Sequence, residues 1–210
     1  IHLALHYTYG RGYYEQFREA DNLIDYYASL ENKSIDLVRR RWLDNHFYGI
    51  TYSYFTKLKK GELNIGGAIS EYDGDHFGRI IIPSIPIKDP YYFSKSFKRD
   101  GNLFIKYDYK ISNSSNLFLD FQVRSYSHKS NGTDNDKSAI NINSARIFVN
   151  PKLGFTKKIN DFISFYSSIS IANREPIRSD FIDSNIEPSH EKLYDFEIGK
   201  NFNYEKGILN

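Results

Sequence analysis

Eight stretches of this chain alternate apolar and polar side chains, and the connections between them alternate strictly between long and short. The short ones are Lys57–Gly61, Ser112–Ser115, Lys158–Asp161 and Tyr204–Gly207; the long ones are Gly10–Trp42, Glu71–Lys98, Lys129–Ala145 and Asn173–His190. Strands joined by tight turns at one end and by long loops at the other meet a different environment at each end. An up-and-down barrel in an outer membrane is organised in this way, whereas a soluble sandwich has no reason to sort its loops.

Side chains two apart in a strand share a face. Leu103, Ile105, Tyr107, Tyr109 and Ile111 therefore lie opposite Phe104, Lys106, Asp108 and Lys110, and Leu117, Leu119, Phe121 and Val123 lie opposite Asp120, Gln122 and Arg124. One face of this hairpin is apolar and the other carries full charges. The same alternation runs through Ile50–Tyr54, Leu63–Ile69, Ile147–Phe155, Ile163–Ile171 and Tyr194–Phe202, and helical spacing fits none of these as well. The runs last about 10–13 residues, against the 9–11 or so that a tilted membrane strand needs. Three residues break the pattern: Pro151, which removes a ladder hydrogen bond, Ser167, and Lys200, which can snorkel from the apolar face to the interface near a short turn.

Composition narrows the function classes. The chain has 18 Tyr and 16 Phe but one Trp, no Cys and no Met, and its hydrophobic share of 40% is low for a globular protein. A barrel with a polar lumen needs only half of each strand to be apolar. A net charge of +2 gives no argument for a nucleic-acid partner. Without cysteine there are no disulfides, thiolate metal sites or thiol catalysis. No apolar run reaches the roughly 20 residues of a membrane helix. No phosphate loop, zinc-protease helix or nucleophile elbow occurs, so neither a catalytic residue nor a cofactor is expected. The chain opens directly on alternating residues, which reads as an internal fragment whose export signal lies upstream.

Several clusters carry possible binding chemistry. Asp73, Asp75 and His76 combine carboxylates with an imidazole; they suit a ligand contact, or a turn centred on Gly74 with aspartate caps. Arg39, Arg40 and Arg41 beside Trp42 suit an anionic ligand, or a charged rim with the indole as interfacial anchor. Arg174 and Arg178 flank Glu175-Pro176 and suit ion pairs that shape a loop, or contact with a ligand. Tyr7, Tyr9, Tyr13 and Tyr14 suit an aromatic girdle, or a stacking surface. The scattered histidines form no metal-ligand set.

The stretches Leu5–Gln16, Val38–Asn45, Tyr72–Gly78, Ala172–Phe181 and Glu191–Gly199 together resemble the barrel of a TonB-dependent outer-membrane receptor, over almost the whole chain. The resemblance implies an all-β, antiparallel, up-and-down transmembrane β-barrel, of which residues 1–210 supply about eight of roughly 22 strands. It implies a plug that lies outside this sequence and contacts a TonB-type energy-coupling protein. It further implies outer-membrane lipid as the surrounding partner, in a Gram-negative bacterium, and uptake of a scarce ligand: a ferric siderophore or other iron chelate, haem, cobalamin, or a glycan or peptide fragment. Under it, Tyr13, Tyr14, Arg40, Trp42, Asp73, Asp75, His76, Arg174 and Arg178 are the candidate ligand contacts, all in extracellular loops. A closed eight-stranded barrel serving as an adhesin or structural protein is the alternative, and a secreted β-rich binding module a third reading.

Overall fold

The computed structural model describes residues 1–27, 33–82, 87–184 and 186–203. The last expected turn, Tyr204–Gly207, lies outside these residues. The described chain forms one antiparallel sheet of eight strands in sequence order. The strands are β1 (His2–Asn22), β2 (Ser34–Leu58), β3 (Gly61–Ile81), β4 (Tyr92–Ser112), β5 (Ser115–Thr133), β6 (Ala139–Lys158), β7 (Ile163–Arg174) and β8 (Glu191–Phe202), with a short helix, α1 (Arg178–Asp183), before β8. Each strand pairs with its neighbours in sequence, and β1 and β8 are the two open edges. The sheet therefore does not close on itself as the eight-stranded alternative requires.

Three tight turns fall where the alternation breaks, at 59–60, 113–114 and 159–162. The other end differs from expectation. Most of the connections read as long loops are strand: β1 runs on to Asn22 and β2 begins at Ser34, while β3 ends at Ile81 and β4 begins at Tyr92. At 21 and 25 residues, β1 and β2 are about twice the length that crosses a membrane. Only 175–190, between β7 and β8, keeps most of its length as a connection. Gly74 is mid-strand, paired with Asn45 and Ser96, and makes no turn.

The outer face explains the extra length. Near the short turns it is apolar: Leu3 and Leu5 on β1, Tyr52 and Tyr54 on β2, Ile105 and Leu103 on β4, Leu119 and Phe121 on β5, all exposed. Further along the same face the apolar side chains give way to ion pairs: Arg11 with Asp44, Lys95 with Asp73 and Arg99 with Glu71. One row of hydrogen-bonded partners, Tyr7, Tyr48, Glu71, Arg99 and Ser127, passes from aromatic to charged to small. Strands tilted across the edge of a lipid band produce such a row. Within it the Tyr48 hydroxyl donates to Glu71 at 2.8 Å, and Arg99 Nε donates to the other Glu71 oxygen at 2.6 Å. Each strand from β1 to β6 thus has an apolar segment and a polar segment on its outer side.

Buried apolar side chains gather beyond the apolar band. Leu23, Tyr26, Leu37, Ile80, Ile82, Tyr91 and Tyr92 form a small core, with Ile35, Tyr27 and Ile87 against it. It packs Leu23, Tyr26 and Tyr27 after β1, and Ile87 and Tyr91 before β4, over the inner face. Tyr26 meets Tyr91 edge-on with centroids 4.9 Å apart.

Candidate functional site

The pleat divides the residues singled out from the sequence. Arg40 lies outward with its guanidinium 4.5 Å from the Tyr13 ring centroid and its Nε 2.6 Å from Glu15. Trp42 shares that face, 4.4 Å from Tyr13 and stacked on Phe77 at 5.8 Å. Tyr13, Trp42, Phe77 and Phe93 are successive partners in one row across four strands, one row beyond Arg11 and Asp44. Asp73 and Asp75 also point outward, Asp73 to Lys95 at 3.5 Å. His76, on the other parity, points inward, so the expected acid–imidazole cluster is split between two faces. Arg174 pairs with Glu191 across the ends of β7 and β8.

Tyr14, His76 and Arg178 meet the inner face. Tyr14 and His76 help line a hollow of about 520 Å³ with Gly10, Gly12, Arg41 and Tyr92, and Arg11, Tyr13 and Trp42 border it too. Arg41 bonds to Tyr92 and lies 5.6 Å from the Tyr14 ring centroid. The paired glycines leave β1 without side chains there, which opens the space. Tyr72 lies across Gly74 to bring its hydroxyl 3.1 Å from His76 Nε2. A Cβ at position 74 would stand 2.6 Å from the Tyr72 ring, so glycine serves close approach of an aromatic ring. Gly74→Ala is expected to push Tyr72 off His76 and to lower stability by about 1–3 kcal/mol, as overpacking does. Denaturant unfolding of the intact protein in detergent checks this; an unchanged midpoint contradicts it.

The β7–β8 segment 175–190 crosses the inner face and touches four strands. Glu175 accepts hydrogen bonds from Lys98 Nζ at 2.7 Å and from Arg124 at 2.7 and 2.9 Å. Arg124 also grips Asp100 with Nε at 2.9 Å. Burial pushes the Glu175 carboxyl up, but bonds from Arg124 and Lys98 outweigh it and bring it down to about 2. Arg178 reaches Asp134 at 3.2 Å, Ser94 Oγ at 3.3 Å and His76 Nδ1 at 3.4 Å. Phe181 stands edge-on to His128 with centroids 6.2 Å apart, and Arg146 donates to the Pro188 carbonyl at 2.9 Å. A segment rooted at β7 and β8 that reaches His76 on β3 requires the sheet to curl toward this face, making it concave. Beneath lie Ser94, Ser96, Ser130 and Ser144, all buried, with Ser96 bonded to Ser130 at 2.7 Å and Tyr126 to Ser144 at 2.9 Å. Arg41 belongs to the arginine run read from the sequence, whereas Lys98, Arg124, His128 and Arg146 are inner-face residues that the sequence did not mark as a site. The one signal for them is a cation at an inward position of a strand, which many lumen-facing residues share.

No family model and no curated protein sequence matches the chain. Among solved structures, the copper transporter OprC superposes with a TM-score of 0.70 at 13% identity, over 97% of this chain and 34% of its own. The ferric yersiniabactin uptake receptor FyuA from Yersinia pestis superposes with a TM-score of 0.52 at 9% identity, over 97% of this chain and 31% of its own. This chain thus spans about a third of the length of either. At such identities the likeness is one of fold: an antiparallel up-and-down stretch of wall such as TonB-dependent barrels have.

Proposed function

We propose that residues 1–210 belong to one barrel domain of an outer-membrane receptor and transporter. It takes up a scarce ligand, with energy delivered by a TonB-type protein through a plug outside this sequence. The ligand is a ferric siderophore or other iron chelate, haem, cobalamin, or a glycan or peptide fragment. The observation that carries the proposal is the two-zone outer face, an apolar band that ends at rows of ion pairs while the strands continue. A wall that stands well above the lipid offers its inner face to whatever arrives from outside. The fold likeness to a transporter and an uptake receptor supports a role in transport and not in catalysis.

Under this reading the ligand meets the inner face. Tyr14, Arg41, His76 and Tyr92 around the hollow contact it, and Arg40, Asp73 and Asp75, which lie off the hollow, do not. Growth of a deletion strain on candidate iron sources, haem or cobalamin, complemented by variants of the intact gene, tests both parts. Tyr14→Ala with Arg41→Ala is expected to weaken uptake about tenfold or more, the loss of an aromatic and arginine hot spot. Glu15→Ala with Arg40→Ala, an ion pair on the outer face, leaves uptake near wild type. Equal losses from the two pairs would remove the inner-face site, and normal growth of the deletion strain on every source would remove the transport role.

A further inference from the structure

We infer that the segment 175–190 is a strap that is seated on the inner wall at neutral pH and lifts from it in acid, with His76 and His128 taking up the protons. Its seating does not depend on which ligand the protein carries.

The strap is held at three places: Glu175 on Lys98 and Arg124, Arg178 on Asp134 and Ser94, and Arg146 on Glu187 and the Pro188 carbonyl. Both histidines stand where its residues land. His76 Nδ1 lies 3.4 Å from an Arg178 nitrogen. A guanidinium only donates, so this contact needs an unprotonated Nδ1. Protonation puts an N–H against an N–H and a cation against a cation. Facing His76 from other elements are Asp134, and Arg41 and Tyr92 across the hollow; on β3 itself the Tyr72 hydroxyl meets Nε2, and Asp75 acts from the opposite face. His128 lies under the Phe181 ring and is faced by Lys98 on β4 and by Arg178 and Glu175 of the strap.

Burial, and then Arg178, hold His76 below its ordinary value of 6.5; burial, then Lys98 and Arg178, do the same for His128. A lifted strap returns both rings to water. The seated state is therefore favoured in full above pH 6.5 and loses that advantage as pH falls below it. Glu175, held at about 2, stays ionised throughout that window. Its latch is not what acid breaks.

Ser130 is 1% exposed and shares a strand face with His128. It is therefore a reporter for the strap in a chain that has no cysteine of its own. Ser130→Cys in the intact protein, in isolated outer membranes, is labelled with a hydrophilic maleimide at about pH 8 and about pH 5, the histidine range lying between. Its rate is divided by that of Asn141→Cys, which is exposed on β6, to cancel the reagent's own pH dependence. The relative rate is expected to rise several-fold in acid. The rise disappears when His76→Gln and His128→Gln are added, and Glu175→Gln raises the rate at both pH values. A relative rate that is the same at both pH values, or a rise that survives the double histidine replacement, overturns the proposal. Ser96→Cys replaces the reporter if Ser130→Cys does not assemble.

Discussion

Leu119→Arg is expected to cost the assembled protein about 2–4 kcal/mol, the penalty for a cation on the lipid face of a barrel near the bilayer midplane. Leu119 is 40% exposed on the outer face of β5 and is flanked by Tyr107 and Leu153 on the neighbouring strands. Nothing polar is at hand to receive a guanidinium. Two controls on the same strand separate lipid from water. Gln122→Arg is on the inner face, beside Asn150, and is expected to stay within about 0.5 kcal/mol. Asn131→Arg is on the outer face but lies beside Lys95 on β4, beyond the apolar band, and is expected to be equally mild. Folding into lipid vesicles with denaturant titration measures all three. A large penalty at Asn131, or none at Leu119, contradicts the two-zone outer face.

Arg124→Met ranks next. Arg124 bridges Asp100 and Glu175, and the side chains of all three are mostly shielded, at 24%, 23% and 11% exposure. Removing it strands two carboxylates with Lys98 as the one remaining cation of the cluster. Leaving hydrogen-bonded charges without their partner costs about 1.5–3 kcal/mol, and the partial exposure argues for the lower part of that range. The loss is also local: Glu175 is the first anchor of 175–190, so that segment loosens before the sheet does. The expected readout is faster proteolysis within 175–190 with strand content unchanged. Because the Glu175 carboxyl is held at about 2 against an ordinary 4.5, wild type retains this anchor above pH 4.5 and loses it only as pH falls toward 2. Wild-type resistance to proteolysis in Arg124→Met would contradict the anchor.

Hairpins with one greasy face were legible from the sequence because lipid imposes a strict alternation on the half of each strand that it bathes. Beyond the band that constraint ends. From Arg11 to Asn22, and from Ser34 to Asp44, apolar side chains fall on either face: Leu37 inside, in the small core, and Trp42 outside, stacked on Phe77. The alternation fades although the ladder goes on, and the segments read as loop. The same cause split the candidate site. Arg39, Arg40 and Arg41 look like one cluster, yet in an extended strand they alternate between Gln16 inside, Glu15 outside and Tyr92 inside. Asp73, Asp75 and His76 divide likewise. The docking of 175–190 had no local signal, since Glu175 and Arg178 find partners 44 to 102 residues away. Charge pairing across such separations is set by the curl of the sheet, which no single strand records.

Spin labels along β5, scanned with oxygen as the lipid-soluble relaxer and a nickel chelate as the water-soluble one, test the division of the wall most directly. In the intact protein in membranes, a label at Leu119 should favour oxygen. Labels at Asp120 on the inner face and at Asn131 on the upper outer face should favour nickel. Oxygen preference at Asn131, or nickel preference at Leu119, would contradict a wall that is half in lipid and half above it.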